Sequence, residues 1–160
     1  MKITIDDRKI GRVGAVLTKR VKVVEGDLIA IPLNENVVAV GIILHVSKRI
    51  RNGIIVGYYN QIFSSVEAIS IDEIGGEFVD TPNYTGKQLV TKGPWQLVGH
   101  SDELLASATI PELAVVTTIY YKDEIVHHFT NDEHKAYLTL AVEGGGFVEN
   151  KLRKHFEITK

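Results

Sequence analysis

Cysteine is absent from the 160-residue sequence. Without a thiol the chain can form no disulfide, hold no metal through thiolates and use no cysteine nucleophile. Proline is scarce, at four residues against 14 glycines, and hydrophobic residues make up 44%. This composition excludes a collagen-like or low-complexity chain and is typical of a folded protein.

Long apolar runs are also missing. The longest, residues 37–46, is too short to cross a membrane. The first ten residues contain Asp6 and Asp7 and lack the apolar segment of a secretory signal. The length is that of one domain. We therefore expect a single cytoplasmic domain over residues 1–160.

Basic residues are nearly absent from two long segments of the sequence and are concentrated near its start. Seven basic residues precede Glu25 against two acidic ones, a net charge of +5, so the remainder carries −7 and the whole chain −2. Residues 52–86 hold five acidic residues and no Lys or Arg, and in residues 102–133 seven acidic residues face only Lys122. Such separation governs partners and association rates rather than the fold. We interpret residues 1–22 as a peripheral basic arm.

Turn-forming residues divide the first half of the chain into strands. Predicted strands cover residues 28–33, 37–46 and 54–62. Asn34-Glu35-Asn36 and the hairpin dipeptide Asn52-Gly53 separate them. Gly41 interrupts the longest strand and predicts a bulge or bend. Three successive antiparallel strands form a meander, which in a small chain tends to curl into a barrel-like sheet.

The second half is less regular. Capping-box patterns begin at Ser64 and at Thr130, and residues 65–74 and 131–142 remain open between helix and strand. Residues 101–111 suggest an irregular connection with one helical turn. Residues 114–121 and 125–129 predict a second hairpin.

The C-terminal pattern predicts a helix. Val148, Leu152 and Phe156 recur at every fourth position behind Gly144-Gly145-Gly146. The predicted fold is therefore α+β: a curved antiparallel, barrel-like β-sheet with a C-terminal helix and few other short helices.

No group of titratable residues matches a catalytic or metal-binding motif. His127 and His128 face opposite sides of a strand, so with Glu133 and His134 they do not converge on one ion. Gly144-Gly145-Gly146 lacks the spacing of a phosphate-binding loop, and we interpret it as a flexible hinge. No GxSxG elbow is present, and adjacent acidic pairs point apart. We therefore predict no metal, no cofactor and no catalytic residue.

A basic and aromatic hairpin raises a second class of function. Arg49, Arg51, Tyr58 and Tyr59 lie on or beside one predicted hairpin, where cations and aromatic rings would suit nucleic acid. Tyr58 and Tyr59 face opposite sides of a strand, so at most one is exposed, and the acidic body repels phosphates. A nucleic-acid-associated β-barrel is the alternative, although nucleic acid is the less favoured partner.

Several short stretches carry a resemblance to a known family. They are Gly26-Asp27, Ile31-Pro32-Leu33, Val40-Gly41-Ile42-Ile43, Gly57-Tyr58-Tyr59, Pro94-Trp95-Gln96-Leu97-Val98-Gly99-His100 and Pro111. Together they resemble the immunity protein 26 family, whose members are found beside toxin genes in bacterial polymorphic toxin systems. The resemblance spans about residues 23–111.

The resemblance implies an α+β protein that binds and blocks a cognate toxin without catalysis. Some members carry a phosphotriesterase label, which leaves a hydrolase as a third possibility. Toxin nucleases are commonly basic because they grip phosphates, and an acidic inhibitor is steered onto such a surface. We therefore predict partner binding through acidic side chains. These are Glu67, Asp72, Glu73, Glu77 and Asp80, with Asp123 and Glu124 as a weaker second group. Trp95 is predicted to lie in the core.

Overall fold

A computed structural model describes residues 21–128 and 137–160. Most of the predicted basic arm, at residues 1–20, lies outside these ranges. The strands are β1 (Asp27–Asn34), β2 (Val37–Val46), β3 (Gly53–Phe63), β4 (Asn83–Gly86), β5 (Gln96–His100), β6 (Glu112–Val115), β7 (Thr118–Tyr121), β8 (Glu124–His128), β9 (Leu138–Thr139) and β10 (Val142–Glu143). The helices are α1 (Gln88–Thr91), α2 (Asp102–Ser107) and α3 (Gly145–Phe156), with a 3₁₀ turn at Ile71–Glu73.

The strands form two open sheets. The larger has the order β10-β4-β3-β2-β1-β5 and the smaller β8-β7-β6-β9. Neighbouring strands are antiparallel except at β10–β4 and β6–β9, which are parallel. The α+β class and the C-terminal helix are confirmed, whereas the sheets do not close into a barrel. Both faces of the larger sheet are covered, so it is a central layer rather than a wall around one interior.

The larger sheet separates two apolar layers. Along β1 the side chains alternate: Ile29 and Ile31 enter the first layer, Leu28 and Ala30 the second. Helix α3 covers the first layer, and α2, the loop of residues 64–82 and β6 cover the second. Burial on both faces explains why β1 and β2 are nearly continuous apolar runs.

Gly41 lies at the predicted irregularity in β2. The register against β3 shifts between Ala39 and Gly41, while the pairing of Gly41 with Ile29 stays regular. A Cβ at Gly41 would come within 2.9 Å of Val56 Cγ1. The bulge is therefore confirmed, and glycine is required because β3 packs too closely for a side chain.

The open segments of the second half adopt little regular structure. Residues 65–74 form turns and the 3₁₀ turn Ile71–Glu73, so neither the helix nor the strand is correct. Thr130 and residues 131–136, which include Glu133 and His134, lie outside the described ranges. β9 and β10 follow them as two short strands. The predicted helical turn in the connection at residues 101–111 is confirmed as α2.

The predicted strand at residues 114–121 is wrong, since it is two strands. A tight turn at Val116-Thr117 separates β6 from β7, with Val115 paired to Thr118. Val116 has φ +54° and a 69% exposed side chain. A β-branched residue in this conformation is rare, and for that reason the sequence gives no sign of the turn.

Helix α3 is fixed to the first layer as its pattern predicts. Val148 and Leu152 are buried, and Phe156 packs against the same cluster. Trp95 is 1% exposed and donates from Nε1 to Glu149 Oε2 at 3.0 Å. Its core position is confirmed. Gly144-Gly145-Gly146 forms the N-cap and first turn of α3 rather than a separate hinge.

Candidate partner-binding surface

Part of the predicted acidic stretch lines a cleft of about 540 Å³. Its lining includes Glu77 and Asp80, together with Leu104 and Ser107 of α2. Tyr59 and Phe78 add aromatic surface, with ring centroids 5.0 Å apart. The cleft thus combines carboxylates with an apolar lining.

A second cleft, of about 270 Å³, adjoins the first. It shares Leu104 and Ser107 and adds Asp72 and Glu103. We call the two together the acidic groove, which runs along α2. Four of its lining residues are acidic, while no Lys or Arg lines either cleft. The groove therefore presents one sign of charge.

Hydrogen bonds from β3 hold the acidic wall of the groove in place. Val79 donates from its backbone to Tyr58 O at 2.7 Å, and Asn60 donates to Glu77 O at 3.0 Å. The Gln61 carboxamide donates to Glu73 O at 2.6 Å and accepts from the Gly75 amide at 2.9 Å. The wall is irregular in conformation, yet it is bound along its length to a central strand.

Gly57 creates the space in which this wall packs. A Cβ at Gly57 would collide with the Phe78 ring, which lies against Tyr59. The Gly57-Tyr58-Tyr59 stretch therefore has a specific structural purpose. Its glycine admits Phe78, and the second tyrosine lines the cleft.

Asp80 also serves the internal structure. Its Oδ2 lies 2.8 Å from Lys151 Nζ, which in turn is 3.0 Å from Glu143 Oε1. Burial raises the pKa of the Tyr58 hydroxyl well above its usual value, and Glu143 and Asp80 raise it further. The Lys151 ammonium group on α3 therefore partly compensates the charge of Asp80. The Glu77 side chain is exposed at the rim of the cleft.

The remaining residues of the predicted stretch differ in place. Glu67 and Glu73 are exposed outside both clefts. Asp123 and Glu124 do not line the groove either, and Glu124 is exposed at the start of β8.

Asp123 joins the two sheets. Its carboxylate accepts hydrogen bonds from Ser47 Oγ at 2.6 Å and from the Lys48 amide at 2.7 Å, and Oδ1 lies 3.1 Å from His45 Nε2. Partial burial acts to raise the pKa of Asp123, but the bonds from Ser47 and Lys48, with His45 beside them, outweigh burial and lower it to about 2. This carboxylate is engaged within the chain.

Two histidines each lie between two carboxylates. His45 contacts Glu25 through Nδ1 at 3.0 Å, in addition to Asp123. His100 contacts Asp27 through Nδ1 at 2.9 Å and Asp102 through Nε2 at 2.7 Å. The two ring nitrogens point away from each other, so the carboxylates of a pair cannot converge on one ion. Within residues 21–128 and 137–160 no group of His, Asp and Glu is arranged to hold a metal.

Contacts with His100 explain why glycine and aspartate are needed at positions 26 and 27. Gly26 has φ +95°, and a Cβ there would lie 2.7 Å from His100 Cε1. Asp27 is fully buried and accepts a hydrogen bond from the Val24 amide at 2.8 Å. Burial acts to lower the pKa of His100, but Asp27 and Asp102 outweigh it and raise the pKa.

The sequence did not single out the α2 side of the groove. Ser101 caps α2 by accepting from the Leu104 amide at 3.1 Å, and Asp102 and Glu103 occupy its first turn. A capping serine followed by two acidic residues is a recognisable helix start. That signal locates the helix, whereas its position across from Glu77 depends on the tertiary fold.

The aromatic and basic hairpin does not form a stacking surface. Tyr58 and Tyr59 are 1% and 3% exposed, so both are buried. The Arg49 guanidinium lies 3.8 Å from the centroid of the Tyr120 ring. Its cation is occupied within the chain, and bases have no exposed tyrosine here on which to stack.

The fold and groove define an open two-sheet α+β protein with an acidic concave surface. The family model described as Immunity protein 26 matches residues 24–124, more than half of the chain. The chain therefore belongs to the immunity protein 26 family. The comparisons with curated proteins and with solved structures give no match. In the described part of the chain no helix is long and apolar enough to span a bilayer.

Proposed function

We propose that this protein is a non-catalytic, cytoplasmic immunity protein that binds a basic toxin enzyme through the acidic groove and blocks it. Membership of an immunity family supports a toxin as the partner. The observation that carries the choice of surface is the groove itself, in which Glu77 and Asp80 continue through Leu104 and Ser107 to Asp72 and Glu103.

The groove suits a segment that carries both cations and apolar groups. Concave walls of one sign focus the electrostatic field and raise the association rate of an oppositely charged partner. Affinity then depends on apolar contacts within the cleft, to whose lining Phe78 and Leu104 contribute. An immunity protein seated this way blocks the toxin by occupying its substrate-binding surface.

Charge reversal within the groove tests the surface. The protein encoded by the adjacent reading frame is tested as the toxin, and the groove variant is Glu77→Lys with Glu103→Lys. We expect association at low salt to slow at least about tenfold, because electrostatic steering is reversed. At high salt the rates of parent and variant converge, since the charges are screened. Stopped-flow association at two salt concentrations measures both effects.

The matched control is Glu35→Lys with Glu157→Lys. It changes the net charge equally at exposed positions outside both clefts. Equal slowing by both variants, or unchanged rates in the groove variant while its thermal melt is intact, contradicts the groove as the binding surface.

Stoichiometry separates blocking from catalysis. A non-catalytic inhibitor abolishes toxin activity at one equivalent, and the toxin recovered from the denatured complex has its original mass. Inhibition by a small fraction of an equivalent, increasing with time, favours the hydrolase alternative and contradicts this proposal.

A further inference from the structure

A basic pocket lies at the end of the larger sheet where β3 and β4 meet α1. Its volume is about 280 Å³, and it is lined by Val21, Arg51, Asn52, Lys87, Gln88, Thr91 and Lys92. Three of these residues are cations and none is an acid. In a chain with net charge −2, this is a local reversal of sign.

The three cations are not neutralised within the described residues. No ion pair reaches Arg51, Lys87 or Lys92 there. By contrast, Lys151 contacts two carboxylates and Arg153 contacts Glu149. Three like charges around one concavity, with no ion-pair partner in the part of the chain that the structure describes, repel each other, and a bound anion would relieve that repulsion.

The backbone of the pocket is fixed by specific contacts. The Lys87 amide donates to Asn52 O at 2.7 Å, which joins the β2–β3 turn to the start of α1. Asn52 has φ +58°, as the tight turn requires. A Cβ at Gly86 would collide with the Gln88 carboxamide, so glycine allows that amide to fold over the strand. The cations are therefore presented from a defined frame.

The lining indicates the class of anion. Beside the three cations it offers the amides of Asn52 and Gln88 and the Thr91 hydroxyl as hydrogen-bond donors. A phosphate group has three terminal oxygens and up to two charges, which this number of donors can satisfy. The lining holds no aromatic ring on which a base could stack.

We propose that this pocket is a binding site for a phosphate oxyanion, held by Arg51, Lys87 and Lys92. The site is separate from the acidic groove and does not depend on the proposed immunity function. The phosphate can belong to a small phosphorylated molecule or to a phosphodiester backbone, since both present the same oxygens.

Titration calorimetry with inorganic pyrophosphate tests the site, in buffers matched for ionic strength with sodium chloride. The full-length parent should bind saturably. The pocket variant Arg51→Gln, Lys87→Gln, Lys92→Gln should bind at least about tenfold more weakly, because three charge-assisted contacts are lost. The matched control Lys48→Gln, Lys154→Gln, Lys160→Gln removes equal charge outside the pocket and should stay within about twofold of the parent.

Two further probes are a DNA duplex, which distinguishes a phosphodiester backbone from a small phosphorylated molecule, and oligoglutamate, which distinguishes phosphate from carboxylate. A 20-base-pair DNA duplex that binds much more tightly than pyrophosphate, again through the pocket cations, assigns a phosphodiester backbone. Weaker duplex binding assigns a small phosphorylated molecule. Either result requires the pocket cations, and oligoglutamate should bind far more weakly than pyrophosphate.

Several results would overturn the site. They are no pyrophosphate binding by the parent, equal losses in the pocket and control variants, and oligoglutamate binding as tight as that of pyrophosphate. If the triple variant fails to fold, the single variants Arg51→Gln and Lys92→Gln at exposed positions replace it. Unchanged affinity in both singles then rejects the proposal.

Discussion

Val116 adopts φ +54° at the exposed turn between β6 and β7. A side chain in the left-handed region costs about 1–2 kcal/mol, and β-branching adds to that strain. Glycine avoids this cost, but its greater freedom in the unfolded chain lowers the free energy of unfolding by about 0.5–1 kcal/mol. The balance at this position therefore favours glycine slightly.

We predict that Val116→Gly raises the free energy of unfolding by up to about 1 kcal/mol. Val116→Ala is the control, because it removes the branch but keeps the Cβ, and it should gain less. Urea denaturation measures both. A loss of stability in Val116→Gly would show that the valine makes contacts that outweigh its strain.

Trp95 fills the first apolar layer and bonds to α3. Its ring packs edge-on against Tyr58, with centroids 6.2 Å apart, and its indole N–H reaches Glu149. We expect Trp95→Ala to cost about 3–5 kcal/mol, as for other buried aromatic residues. Trp95→Phe keeps most of the volume and loses the hydrogen bond, so it should cost less. A thermal melt of Trp95→Ala close to that of the parent would contradict this.

These residues mark what single-sequence patterns can and cannot supply. Trp95 in an apolar stretch and Gly41 within a strand were predicted correctly because each signal is local. Glu103 was not predicted as a groove residue. Its place in a helix can be read from the local sequence, but its proximity to Glu77 depends on how α2 packs over β2. Val116 was missed because its conformation opposes its own preference.

Among the elements, the Asp123 carboxylate links the two sheets through its contacts with Ser47, Lys48 and His45. Its pKa of about 2 in the folded chain is below the ordinary value of 3.8. A depressed folded-state pKa contributes stability that is complete above about pH 5 and is lost as the pH falls through 3.8 toward 2. Because the carboxylate is only partly buried and solvent screens its charge, the shift corresponds to about 1–2 kcal/mol near neutral pH.

We therefore predict that Asp123→Asn lowers the free energy of unfolding by about 1–2 kcal/mol at pH 7. The difference from the parent should shrink as the pH falls to 3, because this carboxyl group is then mostly protonated in the unfolded chain while it stays largely ionised in the folded one. Denaturation at pH 7, 5 and 3 measures it, with exposed Glu124→Gln as the control. A difference that is the same at pH 7 and pH 3 would rule out the ionised carboxylate as the cause.

Periodicity explains which elements were predicted. β1, β2, β3 and α3 have strong apolar patterns and appear within a few residues of their predicted bounds. The loop of residues 64–82 has apolar residues without a period, because Ile69, Ile71 and Ile74 enter the second layer from turns. Such a segment is fixed by hydrogen bonds to β3, and these depend on residues distant in the sequence.

At the scale of the whole molecule, the missing information was how the sheets pack. A meander predicts successive pairing of β1, β2 and β3, but it does not predict whether the sheet closes. Closure was excluded here because two apolar layers, one on each face, require the sheet to stay open between them. The acidic residues are contiguous in the sequence, whereas the groove also requires α2 from a later part of the chain.

The separation of charge between the groove and the basic pocket has a consequence for encounters. The groove borders the second apolar layer through Tyr59 and Leu104, and the pocket borders the first through Val21. Carboxylates near one layer and the cations of Arg51, Lys87 and Lys92 near the other give these two surfaces a permanent electric dipole. Within a Debye length of about 8 Å at physiological ionic strength, the field of a charged neighbour exerts a torque on that dipole. A basic body would thus turn the groove toward itself before contact, and an anionic body would turn the pocket toward itself.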